Sequence, residues 1–558
     1  MGQRHTPSSS ALGSAQPRRK NVKSGCRTCK IRKVKCDEGR PACHRCVSTG
    51  RKCDGYGIWG GGGEERSHSR PVNQGHVVVL HPARNIPPHN LNATECECLE
   101  WFTLRTVKKL RGIFRSAFWD KLVFQACFDE PAVRHAVLAL SSVQRRDVSA
   151  QERSKTIELS PDDQEQFVLR QYGKAIKHLL PQSAGGAQPN VNVVLLSCLV
   201  FIFLEFLRGH YRAAHGHLKN GLRLISEAHN PPSTTSSGVS LSKSSIQRVE
   251  DGILEAFSRI QVQVALLSPL NHTVDFALQV GEPEPVDKAF KSVEQAREQL
   301  DHLMNEVMQL EDQFRRHSIE DSVGCYSKLL YKQQRLRDRL DSWDMAYNLS
   351  TATIKTSMPF REVFGYRLLH VYHTMATVMV NTAAGSISGA ALDSHTDRFR
   401  SIMIEAEELR RIVKSVAILQ DLQNHYTDKS QSIADMGWIP PLYYTALKCR
   451  DPKLRLQAVE LLRLVPHREG IWDSNMVASI AEKVIAIEET GDLANFILDS
   501  DSGSSEVLRT SPVAESCRIQ DVRVQLPDNP GASVEFLYRD ETTNWSWDMI
   551  RANFSVIS

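Results

Sequence analysis

The feature that most constrains this chain is a cysteine spacing near its N-terminus, Cys26-x2-Cys29-x6-Cys36-x6-Cys43-x2-Cys46-x6-Cys53, one pattern written twice across a six-residue gap. Six of the 13 cysteines of the 558-residue chain fall within these 28 residues. The N-terminus is polar and basic and has no apolar core of signal-peptide length, so a reducing compartment is expected, where thiolates serve as metal ligands rather than disulfide halves. A two-residue gap lets paired sulfurs face one borderline-soft ion such as zinc. Two separate tetrahedra would need about eight ligands, so six sulfurs can serve two zinc ions only if at least two are shared. A redox pair or a disulfide knot is the competing reading, and the regularity of the spacing argues against both.

Charge is distributed unevenly. Residues 1–60 hold 14 Lys/Arg against 3 Asp/Glu, a net +11 that leaves −6 on the other 498 residues of a chain whose total is +5. A basic arm on a mildly acidic body points to a polyanion partner, most often nucleic acid. The basic residues also offset the roughly −2 charge of two zinc ions with six thiolates. Hydrophobic content of 41% and charged content of 24% argue against wholesale disorder and against a membrane protein. The longest apolar run, 193–204, is 12 residues broken only by Ser197, which is too short for a bilayer span and reads as a buried helix. Met1-Gly2-Gln3-Arg4-His5-Thr6 fits a myristoylation pattern formally and is taken as coincidence.

The run Cys26-Arg27-Thr28-Cys29-Lys30-Ile31-Arg32-Lys33-Val34-Lys35-Cys36-Asp37, followed by Arg40-Pro41-Ala42-Cys43-His44-Arg45-Cys46, closely resembles the fungal binuclear zinc-cluster DNA-binding domain. The resemblance implies that Cys26 and Cys43 bridge the two zinc ions, with Cys29 and Cys36 completing one site and Cys46 and Cys53 the other. It also implies a short helix over 30–35 entering the major groove, with Arg32 and Lys33 contacting bases, usually of CGG triplets. Cationic donors are the commonest partners of guanine O6 and N7, which makes that assignment chemically reasonable. Arg27, Lys30 and Lys35 are expected to contact phosphate. Arg18, Arg19 and Lys20 with Lys23 fit either extra phosphate contacts or a nuclear import signal. His44 stands between two ligands, but six cysteines already close the cluster, so it is read as a non-ligand.

Residues 1–23 read as a flexible basic arm and 24–55 as the zinc module. Between Asp54 and Asn92, 11 of 39 residues are Gly or Pro, so 56–93 reads as a linker; the run 60–63 is no P-loop, since no Gly-Lys-Ser/Thr follows. From about Thr94 helical periodicity takes over, with helices expected at 131–146, 162–181, 191–207, 211–228, 246–267, 286–316, 322–348, 360–381, 394–424, 441–449, 452–464 and 475–489. Small polar inserts are expected at 230–245 and 499–511, and 517–526 with 532–538 fit a short hairpin about the turn 527–530. The fold class expected is therefore mainly α: a small zinc module, a linker, a large all-α regulatory domain over 94–498, and a C-terminal segment over 499–558.

The body resembles the fungal-specific transcription-factor domain, most clearly at 203–221, at Pro440-Pro441-Leu442-Tyr443 and Lys448-Cys449-Arg450-Asp451-Pro452, and at Arg468-Glu469-Gly470-Ile471-Trp472-Asp473. Gly209, Ala213 and Gly221 are small residues at multiples of four, expected to let helices approach closely, and His217 reads as a hydrogen-bonded core residue. Asp451 and Pro452 read as the cap and first residue of a helix, and Cys96 and Cys98 as ordinary helix-start residues. Asp162, Asp163 and Glu165 resemble the magnesium-binding acids of isoprenoid enzymes, but Ser160-x-x-Asp163 is an equally good cap and no second acidic motif completes a site. HExxH, GxSxG and Walker sequences are absent, so no catalysis is expected.

The expectation is a nuclear regulator of RNA polymerase II genes that binds double-stranded DNA through a two-zinc cluster, acts with transcription machinery or co-regulators, and has no membrane partner. The alternative is an all-α enzyme or scaffold carrying a nucleic-acid-binding zinc module. No heptads follow the cluster directly, so 1–90 alone should be monomeric and recognise a single triplet, and any homodimer should need the helical body. The best heptad, Ala289, Val293, Ala296, Leu300, Leu303, Val307, Leu310 and Phe314, is expected to pack into the body's own core.

Overall fold

The computed structural model describes residues 28–29, 32–37, 43–51, 53, 91–152, 161–180, 190–229, 249–267, 283, 286, 288–317, 323–354, 359–385, 390–422, 432–464, 466–490, 519, 522–525, 534–539 and 547–552. The arm 1–23, the inserts 230–245 and 499–511 and the turn 527–530 lie outside the described residues, as does the linker 56–93 except for Leu91 and the helix start at 92–93. The chain divides into two units, residues 1–82 and 83–558.

In the first unit the described core is sulfur: Cys29, Cys36, Cys43 and Cys46 are buried, with Val34 and Cys53 packed against them. The second unit has an extended hydrophobic core built by helices, chiefly Pro131–Glu152, Pro161–Leu179, Val191–Arg208, Tyr211–His229, Asp251–Leu267, Val293–His317, Val323–Ile354, Phe360–Thr382, Thr396–Leu422, Ile439–Lys448, Pro452–Leu464 and Ser474–Thr490. Every helix expected from periodicity is present, with shifted ends. The expected start at 286 moves to Val293 because Ser292 Oγ accepts the Gln295 N–H at 3.2 Å and caps the helix there.

Helix Val191–Arg208 is long and apolar enough to cross a membrane by length and composition, yet two thirds of it (67%) is buried inside the body. The heptad stripe is likewise consumed within the chain, since Val293, Ala296, Leu300, Leu303, Val307, Leu310 and Phe314 are all buried, leaving only Ala289 exposed ahead of the helix. The small residues divide in role. Gly221 does allow close approach, because a Cβ there would collide with the Phe257 ring. Gly209 instead ends its helix in the left-handed region at φ 76°, with its N–H donating to Phe206 O at 3.1 Å, and Ala213 is exposed, so neither spaces two helices. His217 is satisfied by Tyr172 Oη, 2.6 Å from its Nε2. Asp451 caps helix Pro452–Leu464, accepting the Lys453 N–H at 2.9 Å.

Several shorter features escaped periodicity. Helix Val123–Asp129 is preceded by a π-helical turn at Phe118–Leu122, and a second π turn occupies Phe102–Thr106; the extra residue per turn throws a 3.6-residue reading out of phase. A small sheet pairs Ser432–Ile433 parallel with Arg468–Glu469 and the latter antiparallel with Trp472–Asp473. Its two-residue strands are too short to display any period. At the C-terminus Val522–Gln525 and Val534–Arg539 form the expected hairpin, and Trp547–Ala552 adds a third antiparallel strand. Val522 and Val524 belong to the body's core, and the Ile519 N–H donates to Glu488 Oε1 at 3.0 Å, so this segment docks on the helices.

The two most distinctive stretches of the body meet in space. Glu469 is almost fully buried and accepts the backbone N–H groups of Gly437, Trp438 and Ile439 at 2.7, 3.0 and 3.1 Å. Helix Ile439–Lys448 has no side-chain cap of its own, so this distant carboxylate satisfies its orphan donors. Trp472 and Tyr443 pack edge to face with ring centroids 5.6 Å apart.

Candidate functional site

The duplicated cysteine pattern folds as a duplicated structure. Residues 17 apart correspond: Cys29 matches Cys46, Cys36 matches Cys53, and Lys33 matches Gly50. In each half a short helical turn closes with the same long backbone bond, Val34 N–H to Cys29 O at 3.1 Å and Arg51 N–H to Cys46 O at 2.9 Å. That closure needs a residue in the left-handed region. Gly50 supplies it at φ 65°, while in the first half it is Lys33, at φ 54°, the one non-glycine residue with positive φ among those described. A lysine there carries roughly 1 kcal/mol of backbone strain that glycine avoids. The helical turn therefore ends at Lys33, and Val34–Lys35 follow it in non-helical backbone, a shorter helix than the 30–35 expected.

The second half is fixed by Asp37, which sequence reading passed over. Its carboxylate accepts the N–H groups of His44 at 2.7 Å and Arg45 at 2.9 Å, capping helix His44–Val47 from seven residues upstream. The same helix is capped from within by Cys43, whose Sγ accepts the Cys46 N–H at 3.3 Å. A short acidic residue immediately after Cys36 was the only signal, and nothing in its spacing announced the partner.

The thiols converge. The Sγ atoms of Cys29, Cys36 and Cys43 lie within 4.8 Å of one another, and so do those of Cys43, Cys46 and Cys53. Cys43 belongs to both groups. The Sγ atoms of Cys29 and Cys43 are 3.7 Å apart, close to the roughly 3.8 Å edge of a tetrahedron built on Zn–S bonds of about 2.3 Å. No disulfide joins the described cysteines, and this all-thiol donor set fits zinc. Cys26 lies outside the described residues, as do Arg18, Arg19, Lys20, Arg27 and Lys30. His44 is exposed and directs its backbone, not its ring, into the cap.

Among the basic residues described, Lys33 and Lys35 are exposed and Arg32 is half-buried, with its guanidinium donating to Thr49 Oγ1 at 3.4 Å. Arg32, Asp37, His44, Arg45 and Thr49 border a shallow recess of about 370 Å³. Of the acids considered for catalysis, Glu165 is ion-paired with Arg208, which also pairs with buried Glu205. Cys96 and Cys98 lie in helix Ala93–Trp101, opened by a reciprocal cap between Asn92 and Glu95.

A zinc-ready thiol cluster of this spacing on a largely helical body defines a known class. Residues 24–58 match the fungal Zn(2)-Cys(6) binuclear cluster domain, and residues 110–484 match the fungal specific transcription factor domain. The chain belongs to the fungal Zn(2)-Cys(6) transcription factor family, whose members bind zinc and DNA and regulate transcription, with two zinc ions per cluster. Among similar proteins is the aspercryptin biosynthesis cluster-specific transcription regulator atnN of Emericella nidulans, 26% identical over 84% of this chain and 87% of that one. The transcription regulator lscL of Purpureocillium lilacinum is 25% identical over 67% of this chain and 90% of its own length. Transcription factor phomR of Diaporthe leptostromiformis is 53% identical over 38 residues, 7% of this chain and 6% of that one. No solved structure matches the chain.

Proposed function

We propose that the chain is a nuclear, sequence-specific regulator of RNA polymerase II genes that reads one CGG-type triplet through the first half of its zinc cluster. Cys26 and Cys43 bridge the two ions, Cys29 and Cys36 complete one site, and Cys46 and Cys53 the other; the sharing of Cys43 between both thiol groups supports this ligand set. Arg32 and Lys33 contact bases, while Arg27, Lys30, Lys35, Arg18, Arg19 and Lys20 contact phosphate. The observation that carries the reading is the inequality of the two halves. Where the first half has Arg32 and left-handed Lys33, the second has Thr49 and Gly50, so at these two matched positions only the first half offers cations.

The arm is 1–23, the DNA-binding module 24–55, the linker 56–93, the regulatory domain 94–498 and the C-terminal segment 499–558. The helical body acts without catalysis, as a regulatory surface for transcription machinery or co-regulators and for any homodimer. The similarity to a biosynthesis cluster-specific regulator supports a biosynthetic gene cluster as the target. Lys33→Ala should lower the preference for CGG over altered triplets by about 1–3 kcal/mol in competition binding, whereas Arg19→Ala should weaken all sequences alike and flatten the salt dependence. Discrimination unchanged by Lys33→Ala would remove Lys33 as the reader. Sedimentation of residues 1–90 should find a monomer with or without a two-triplet duplex.

A further inference from the structure

We propose that helix Pro161–Leu179 docks a short acidic amphipathic helix of a partner protein along an apolar ridge that the described residues of this chain leave uncovered. The helix buries Phe167, Val168, Gln171 and Ala175 against the body. On the opposite face Leu169, Gly173, Ile176 and, just past the helix end, Leu180 recur at steps of four, three and four, the spacing of one helix packing along another. Their side chains are far from covered, with Leu169 54%, Ile176 40% and Leu180 60% exposed. Gly173 sits at the centre of the ridge, and a Cβ added there would meet nothing within 4 Å. A mid-helix glycine costs about 1 kcal/mol relative to alanine, and no close packing among the described residues explains it. A second helix approaching the ridge would.

Charge selects the occupant. Arg170 and Lys177 are exposed on one flank of the ridge, and no acidic side chain of the described residues pairs with either. They are seven residues apart, about 10 Å along the axis, so a partner with acidic residues on one edge at that spacing meets both. Glu165 is already held by Arg208, and exposed Asp163 precedes the ridge. A second copy of this helix would set like charges on like flanks. One ridge of this length is also well short of the roughly 800 Å² per partner of a stable complex, which suits a transient contact of micromolar strength.

The test is fluorescence polarisation of the full chain with a labelled 18-residue peptide carrying leucines at the ridge spacing and glutamates on one edge seven residues apart, against the same peptide with lysines at those positions. The glutamate peptide should bind at least ten-fold more tightly. Ile176→Asp should abolish binding while leaving the melting curve in place, since the side chain is exposed. The pair Arg170→Glu and Lys177→Glu should reverse the preference toward the lysine peptide. Equal affinity for both peptides, or binding indifferent to Ile176→Asp, overturns the proposal. So does self-association, or adhesion to anionic phosphatidylserine vesicles, that Ile176→Asp removes, because the ridge would then belong to a second copy or to a membrane.

Discussion

In the first unit Cys29, Cys36, Cys43 and Cys46 are the buried core, and their sulfurs converge on shared points. In the second, Cys98, Cys127 and Cys198 are packed among helices, where burial pushes Cys98 and Cys198 up to about 11 and Cys127 up to about 12. The residue type is the same and the physics is opposite. A module of some thirty residues cannot bury enough apolar surface to hold itself together, so it recruits thiolates whose charge a metal must neutralise. The body has a large apolar core, in which a thiol is a small hydrophobe that stays protonated.

The largest effect expected from this contrast is on metal removal. A strong zinc chelator should unfold the first unit, a loss on the order of 10 kcal/mol of binding-coupled stability, and should abolish DNA binding while the main calorimetric transition of the body stays where it was. Loss of that body transition together with zinc would break the comparison.

Within the body the corresponding single point is Glu469. Glu469→Ala leaves three backbone donors of helix Ile439–Lys448 without their partner and should cost about 3 kcal/mol in denaturant melts, with zinc content unchanged. A loss below about 1 kcal/mol would mean that the helix start finds other partners.

The body should also respond to acid through His373. Its buried ring stacks on Trp343 and feels the charges of His370, Asp344 and Asp341, its Nε2 donates to Leu340 O at 3.0 Å, and burial lowers its pKa from 6.5 to about 4. The unfolded chain therefore binds more protons than the folded one between these values. Stability is full above about pH 6.5 and falls as pH drops toward 4, by up to about 2 kcal/mol at pH 5. His373→Gln should flatten that slope in urea titrations at pH 5 and 7.

The smallest effect sharpens the comparison between the two halves of the cluster. Lys33→Gly should relieve the left-handed backbone strain and give the first half what Gly50 gives the second, a gain of about 1 kcal/mol in resistance to zinc loss, while DNA discrimination falls. A destabilised Lys33→Gly module would contradict the strain assigned to that backbone.

What the sequence made legible follows the same division. The ligand spacing and the long helices were readable because both repeat: 17 residues between the two cysteine halves, and 3.6 per turn in stretches such as Val293–His317. Gly221 and Asp451 were readable because one residue type suits one local task. The unread features depend on partners remote in sequence or on broken periods. Asp37 capping His44–Val47, Glu469 capping a helix thirty residues upstream, and the π turn at Phe118–Leu122 carry no local pattern that names them. Lys33 was read for its charge and not for its backbone, although its alignment with Gly50 was present in the spacing.

The sharing of Cys43 between two metal sites is the claim on which the account of the first unit turns, and zinc content of the purified full chain measures it. Elemental analysis should find two zinc ions per chain, and Cys43→Ser should lose both together, because the one sulfur belongs to both thiol groups. One zinc in the unaltered chain, or one zinc firmly retained by Cys43→Ser, would contradict it.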